Sequence, residues 1–180
     1  MSLLLSVSRL YVPGFVRKGQ LEMLFKATAQ AFRSAAPPTV GLSYDDTLKL
    51  YAQFTREQAD NAIRQRKELE TRRRLFQNAL GIGQQLKLDF NVRNTDVMRM
   101  AALIYRMLNI DFQGGPDGRI IIKRCFFSSY YTGQICRLIS SLDEGLLVGL
   151  AGKGELIFSR RITEEDECCL AQLEKGNKPS

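Results

Sequence analysis

The sequence predicts an α+β fold: N-terminal helices, then a β-β-α-β-β unit whose antiparallel sheet has helices packed on it. Helical spacing of apolar residues dominates the N-terminal half of the chain. In the C-terminal half, alternating apolar residues flank glycine-rich or acidic turns, and one leucine-rich helical stripe separates two strand pairs. With 180 residues, the chain is long enough to bury the core of one domain.

The first predicted unit, residues 1–42, is an amphipathic helix followed by a linker. The helix covers residues 17–35, and Pro37-Pro38 ends it. It docks on the domain, pairs with another subunit or rests on a membrane, and docking is the default for a surface helix of this type. Its face consists of residues at near-helical spacing: Leu21, Leu24, Phe25, Thr28 and Phe32.

The second predicted unit, residues 43–174, is the α+β domain, and it begins with helical segments. Ser43, followed by two aspartates, is typical of a helix N-cap. Arginines interrupt the apolar stripe that follows. It is therefore either one long helix with a solvated middle or two helices that meet near Arg64. Gly81-Ile82-Gly83 is predicted to stop or kink the helix.

A buried helix and the first strand pair are predicted next. Asn94 or Thr95 caps the helix, whose apolar face is wide enough for a mostly buried position. Strands are predicted at residues 109–113 and 119–126 around a Gly-Gly-Pro-Asp-Gly turn. Strict alternation along the second strand places Cys125 on the face opposite two of its isoleucines.

The C-terminal part of the domain is predicted to be a long helix and a hairpin. Ser128 is predicted to cap the helix, and Gly152 to close it. Strands at residues 155–162 and 167–173 flank an acidic turn. Residues 175–180 are predicted to be a loose tail.

The composition restricts the chemistry that this chain supports. It contains no histidine, which excludes serine triads, Cys-His dyads and the usual histidine-bearing zinc sites. All four cysteines lie between Cys125 and Cys169, and we find no signal sequence and no apolar window long enough to span a bilayer. We therefore expect a cytoplasmic protein with free or metal-bound thiols.

The net charge of +7 is unevenly distributed, with a basic run from Arg64 to Arg74. Such a run suits an acidic partner, an anionic ligand or peripheral contact with a membrane surface, although a solvated helix face is the simpler interpretation. We expect no nucleic-acid partner, because no aromatic residues are interleaved with the arginines.

Cys125 is the strongest candidate for a reactive residue. It ends a strand shortly before a helix, beside Lys123 and Arg124, and both positive charge and helix N–H groups stabilise a thiolate. A thiolate attacks electrophiles or binds metal. An inert, buried thiol fits the sequence equally well.

The other cysteines and one aspartate are candidates for the same site. Cys136 and Asp143 are seven residues apart on one predicted helix and share a face. Of Cys168 and Cys169, only one faces Cys125, since neighbouring side chains on a strand point to opposite faces. Three thiols and a carboxylate would form a tetrahedral zinc site, although no C-x-x-C spacing is present. The predicted metal ligands are Cys125, Cys136 and Cys168.

Three segments resemble the L-2-amino-thiazoline-4-carboxylic acid hydrolase-like family. They are IIIKRCFFSSYYTGQICRLISSLDEGLL, LIFSRRITEEDECCLAQL and the upstream helix LSYDDTLKLYAQFTREQA. The family's strand-ending cysteine, its cysteine and aspartate on the next helix and its late cysteine correspond to Cys125, Cys136, Asp143 and Cys168. The layout is also similar to 4-vinyl reductase-type ligand-binding domains and to TRAPP vesicle-tethering subunits.

The resemblance implies a small-molecule pocket between helices and sheet, and we predict a small-molecule-binding domain with an apolar pocket and a cysteine cluster. The pocket is lined by the helices at 95–108 and 128–150, with a small organic molecule as partner. Its predicted ligand-binding residues are Tyr105, Tyr130, Tyr131, Cys136, Lys123 and Arg124.

Two alternative functions stay open. In the first, the chain is a hydrolase of a small cyclic amidine, acting on a non-peptide C–N bond. The Cys125 thiolate attacks, Asp143 orients or moves a proton, and Lys123 or Arg124 holds a substrate carboxylate. In the second, the chain is a TRAPP-like assembly subunit. We expect a homodimer, and zinc is the one cofactor that the cysteines suggest.

Overall fold

The computed structural model describes residues 14–174, with side chains from Arg17 onward. This part contains five α-helices and four β-strands. The helices are α1 (Gly14–Phe32), α2 (Tyr44–Arg64), α3 (Glu68–Asp89), α4 (Val97–Met107) and α5 (Gly133–Ala151). The strands are β1 (Ile110–Gly114), β2 (Arg119–Cys125), β3 (Glu155–Arg160) and β4 (Cys169–Glu174). The predicted tail at 175–180 lies outside the described residues.

The four strands form one antiparallel sheet in the order β1-β2-β4-β3. Helix α4 packs on β1 and α5 packs on β3. Helix α3 packs along α5, and α1 packs on α2 and α3. The predicted α+β class with helices on an antiparallel sheet is confirmed. Among residues 14–174, no helix is long and apolar enough to span a bilayer.

Helix α1 is docked on the rest of the protein through its apolar face. Leu21 and Phe25 are buried. The ring centroid of Phe25 lies 5.1 Å from those of Tyr51 and Phe54, both in α2. Docking, the default expectation for this helix, is therefore confirmed for its described part.

Two helices, rather than one, follow the predicted cap at Ser43. The hydroxyl oxygen of Ser43 accepts a hydrogen bond from the backbone N–H of Asp46 at 3.1 Å. Helix α2 ends at Arg64, and Arg66 adopts a φ of 55°, which no helix continues through. The alternative in which two helices meet near Arg64 is the correct one.

The basic run lies at the corner between α2 and α3 and is largely exposed. Several of its arginines pair with nearby carboxylates, which favours the simpler interpretation of a solvated, salt-bridged surface. The pairs are Arg64 with Asp60, Arg72 with Glu144, and Arg74 with Glu70.

Helix α3 runs through Gly81-Ile82-Gly83 to Asp89, so the predicted break at these glycines is wrong. A Cβ atom on Gly81 would meet nothing within 4 Å. A Cβ atom on Gly83 would overlap the backbone carbonyl oxygen of Leu146 in α5. Gly83 is therefore needed for close packing between two helices, and not for ending one of them.

Helix α5 contributes two more glycines to this contact. A Cβ on Gly145 would overlap the carbonyl oxygen of Phe76, and one on Gly149 would lie 2.5 Å from the carbonyl oxygen of Leu80. Without these side chains, the backbones of α3 and α5 come into direct van der Waals contact. At Gly145 and Gly149, α5 consequently packs against α3 without a gap.

The starts of α4 and α5 differ from the predicted caps. Asp96, rather than Asn94 or Thr95, occupies the N-cap position of α4. Thr132, rather than Ser128, caps α5, and its hydroxyl accepts a hydrogen bond from the helix backbone. Phe126–Ser129, before this cap, form a short 3-10 turn. The spacing of apolar residues in such a turn resembles that of an α-helix, so the sequence predicted the helix to begin too early.

Candidate functional site

A cavity of about 100 Å³ lies between α5, α4, α3 and the inner face of the sheet. Its wall is mainly apolar, with few polar groups, as is common for small-molecule sites. The apolar part of the wall includes Ala79, Ile82, Leu108, Ile139, Leu142 and Leu146. The polar part includes side chains from α4, α5, the end of β2 and the start of the turn after β3.

Cys125 reaches the cavity because β2 contains a β-bulge. Asp111 pairs with Arg124 and Phe112 with Ile122, which leaves Lys123 as an extra residue in β2. The extra residue reverses the alternation of side chains, so Cys125 lies on the cavity side. The predicted position of Cys125, on the face opposite the buried isoleucines, is therefore wrong.

A second bulge, in β3, brings Arg161 into the cavity at the same end of the sheet as Cys125, because the ends of β2 and β3 both lie beside the start of β4. Phe158 pairs with Ala171 and Arg160 with Leu170, which leaves Ser159 as an extra residue in β3. Arg160 is exposed, whereas Arg161 lines the cavity. Arg161 was not among the site residues predicted from the sequence.

The cavity side of α5 carries three small polar residues. Cys136, Ser140 and Asp143 all line the cavity. The predicted shared face of Cys136 and Asp143 is confirmed, because both side chains reach the same space. The hydroxyl of Tyr105, from α4, donates a hydrogen bond to Asp143 Oδ1 at 2.6 Å. Tyr105 in turn stacks on Phe112, with ring centroids 4.6 Å apart.

Asp143 places an ionisable carboxyl in a wall that is mainly apolar. Burial raises the pKa of its carboxyl to about 6, against the opposing effects of the Tyr105 hydrogen bond and the Arg161 charge. Its side chain is half-buried and lines the cavity. Asp143 therefore titrates near neutral pH, in contact with any molecule that fills the cavity.

The environment of Cys125 favours the neutral thiol. Burial raises the pKa of Cys125 to about 12, and a hydrogen bond from the backbone of Phe127 offsets this only in part. Lys123 and Arg124, which were expected to stabilise a thiolate, are exposed and do not line the cavity. Arg124 instead borders an outer groove, which Cys125 also lines.

Cys169, rather than Cys168, is the inward-facing residue of the cysteine pair. Cys169 is buried, lies opposite Ile122 in the sheet and lines the cavity. Burial raises the pKa of its thiol too. Cys168 is half-buried and does not line the cavity. The prediction that Cys168 shares a site with Cys125 is therefore wrong, and Cys169 is the residue that does.

The residues do not form the predicted zinc site. In the part of the chain that the structure describes, no three cysteine or acidic side chains are grouped closely enough to hold a metal ion. The set Cys125, Cys136 and Cys168 fails because Cys168 points elsewhere.

Of the three predicted ligand-binding tyrosines, two line the cavity and one does not. Tyr105 and Tyr131 are buried and line the cavity, and the hydroxyl of Tyr131 is hydrogen-bonded to Thr55. Tyr130 is half-buried and stands outside, against the ring of Phe126. Tyr51, from α2, was not among the predicted ligand-binding residues and also lines the cavity.

Comparisons with known proteins return no relative for this chain. It matches no protein-family model, no curated protein and no solved structure. The resemblance to the L-2-amino-thiazoline-4-carboxylic acid hydrolase-like family therefore stays a prediction, and functional conclusions depend on the cavity itself.

Proposed function

We propose that this chain is a small-molecule-binding domain and that the cavity under α5 is its binding site. The observation that carries the proposal is an apolar cavity into which a single desolvated carboxyl, Asp143, is directed. A protein gains nothing in stability from such an arrangement, because voids lose packing contacts and buried carboxylates lose hydration. A bound molecule that fills the space and meets the polar groups compensates for both.

The volume limits the ligand. An engineered apolar cavity of about 150 Å³ holds benzene. The cavity in this protein measures about 100 Å³, so in its present shape it accepts an organic molecule of roughly four to six non-hydrogen atoms. A larger ligand requires side chains of the wall to move.

Binding is favoured over hydrolysis by the state of Cys125. A thiol whose pKa is about 12 is almost fully protonated at neutral pH, and the thiolate is the nucleophile. The chain has no histidine to remove the proton. The homodimer, the cytoplasmic location and the peripheral membrane contact stay predictions, which sedimentation and fractionation test directly.

The test compares two identical substitutions, one inside the cavity and one outside. Cys136→Leu adds volume to the cavity wall, whereas Cys168→Leu adds it at a half-buried position outside the cavity. Binding of four-carbon alcohols and amides is measured by ligand-observed NMR. We expect Cys136→Leu to weaken binding at least tenfold and Cys168→Leu to leave it unchanged. Equal binding by both variants and the parent, or no binding by the parent, would overturn the proposal.

A further inference from the structure

The guanidinium of Arg161 is nearly buried and is not hydrogen-bonded to any carboxylate among the described residues. Its side chain is only 12% exposed. The nearest carboxylate oxygen is Glu164 Oε1, 3.9 Å from Arg161 Nε. That same oxygen accepts a hydrogen bond from Arg137 Nε at 2.6 Å, so Glu164 is shared between two arginines. A desolvated cation with so distant a partner leaves part of its hydrogen-bonding capacity unused.

Neighbouring groups hold this guanidinium at the cavity wall. Arg161 Nη1 donates a hydrogen bond to the hydroxyl of Ser140 at 2.6 Å and lies 3.9 Å from the sulfur of Cys136. The guanidinium carbon lies 4.1 Å from the ring centroid of Phe158. Contacts from α5 and from β3 thus fix the orientation of the group before any ligand binds, which lowers the entropy cost of binding.

We infer that Arg161 is the anchor for the carboxylate of a small organic acid whose apolar body fills the cavity. This inference rests on the proposed function and names its ligand class. Among the described residues that line the cavity, Arg161 is the only cation. One guanidinium matches one singly charged, planar, forked group, which is a carboxylate, whereas a phosphate group requires more positive charge.

Asp143 makes the binding of an acid dependent on pH. Two carboxylates in one small cavity repel each other, so the ligand binds best when Asp143 carries a proton. Asp143 titrates with a pKa of about 6, so we expect affinity for the acid to fall at higher pH, by at most about tenfold per unit. The groups that interact with Asp143 are Tyr51 on α2, Tyr105 on α4, Cys125 on β2, Glu144 on α5, Arg161 after β3 and Cys169 on β4.

The experiment uses two probes of equal size, butanoate and butanamide, and two adjacent arginines. Affinities are measured by isothermal titration and ligand-observed NMR at pH 6 for the parent chain, Arg161→Gln and Arg160→Gln. Arg160→Gln removes the same charge from the neighbouring exposed position and serves as the control. We expect the parent and Arg160→Gln to prefer butanoate at least tenfold, and Arg161→Gln to lose the preference while still binding butanamide.

The outcomes separate the inference from the proposed function. If the parent binds both probes equally, or if Arg161→Gln keeps the preference, the inference fails and the cavity remains a binding site. If the parent binds neither probe, both fail. Should Arg161→Gln not fold, Arg161→Lys keeps the charge without the fork, and a reduced preference supports the inference while an unchanged preference contradicts it.

Discussion

Two sides of helix α5 contrast sharply. On the side that faces α3, Gly145 and Gly149 allow the helix backbones to touch. On the opposite side, Cys136, Ser140 and Asp143 face the cavity. Both sides are built from small residues, yet one is filled and the other is hollow.

The difference shows that small residues close an interface only when the partner can approach. Helix α3 is a single element and is free to move up to the glycines of α5. On the cavity side, large side chains such as Phe158 on β3 and Tyr105 on α4 line the space in front of the short polar residues of α5. The reactivity of Cys125, the pH dependence of stability and substitutions of the glycines each probe this contrast.

The largest expected effect is on the reactivity of Cys125. Burial raises its pKa to about 12 from an ordinary value of 9.0, so its thiolate fraction near pH 8 falls by about 1000-fold. We expect iodoacetamide to modify Cys125 slowly in the folded protein and rapidly in guanidinium chloride, as measured by peptide mass spectrometry. Cys168, outside the cavity, is the internal control. Equal rates for Cys125 in the folded and unfolded states would show that the fold does not desolvate this thiol.

The next effect concerns how Asp143, on the cavity side of α5, makes the stability of the protein depend on pH. Burial raises the pKa of Asp143 to about 6 from 3.8, so the folded state binds this proton more tightly than the unfolded state. Its stabilising contribution is present below about pH 4 and is lost as the pH rises through 6. Above pH 6, Asp143→Asn should therefore be more stable than the parent by about 3 kcal/mol.

Chemical denaturation of both proteins at pH 4 and pH 7.5 measures this difference. The two should be equally stable at pH 4 and diverge as the pH rises. An advantage for Asp143→Asn that is the same at both values would mean that the carboxyl is not desolvated by the cavity.

The smallest effect tests the filled side with two glycines from one helix. Gly83→Ala places a methyl group against the backbone of Leu146, so we expect it to destabilise the protein by about 2 kcal/mol. Gly81→Ala meets open space and should stabilise the helix by about 1 kcal/mol. Urea denaturation measures both. Equal effects of the two substitutions would contradict the close contact between α3 and α5.

The fold was largely predictable from the sequence because it depends on periodicity and caps. The cap at Ser43, the strand pairs and the leucine-rich helix are local patterns. Gly83 was misread because a glycine needed for close packing and a glycine that ends a helix look alike in the chain. Only the partner helix distinguishes them, and α5 begins fifty residues later, at Gly133.

The site was predictable in part. Cys136 and Asp143 are seven residues apart on one helix, and this spacing alone predicted that they share a face. Cys125 and Arg161 depend on bulges, which strict alternation ignores. The sequence nevertheless contains a usable signal: without the bulges, alternation would bury Arg124 and Arg160 among isoleucine, leucine and phenylalanine. When alternation along a strand would place a charged residue on the buried face, an extra residue, and therefore a β-bulge, is indicated just before it.

The glycine contact between α3 and α5 has a consequence for the path that a solute takes. Two backbones in direct contact behave as one stiff wall, and parting them breaks many close contacts at once. The segment that carries Arg161 into Cys169 is short and irregular, with Glu165 in a left-handed conformation. Molecules are thus expected to reach the cavity by displacement of this segment rather than by separation of α3 and α5.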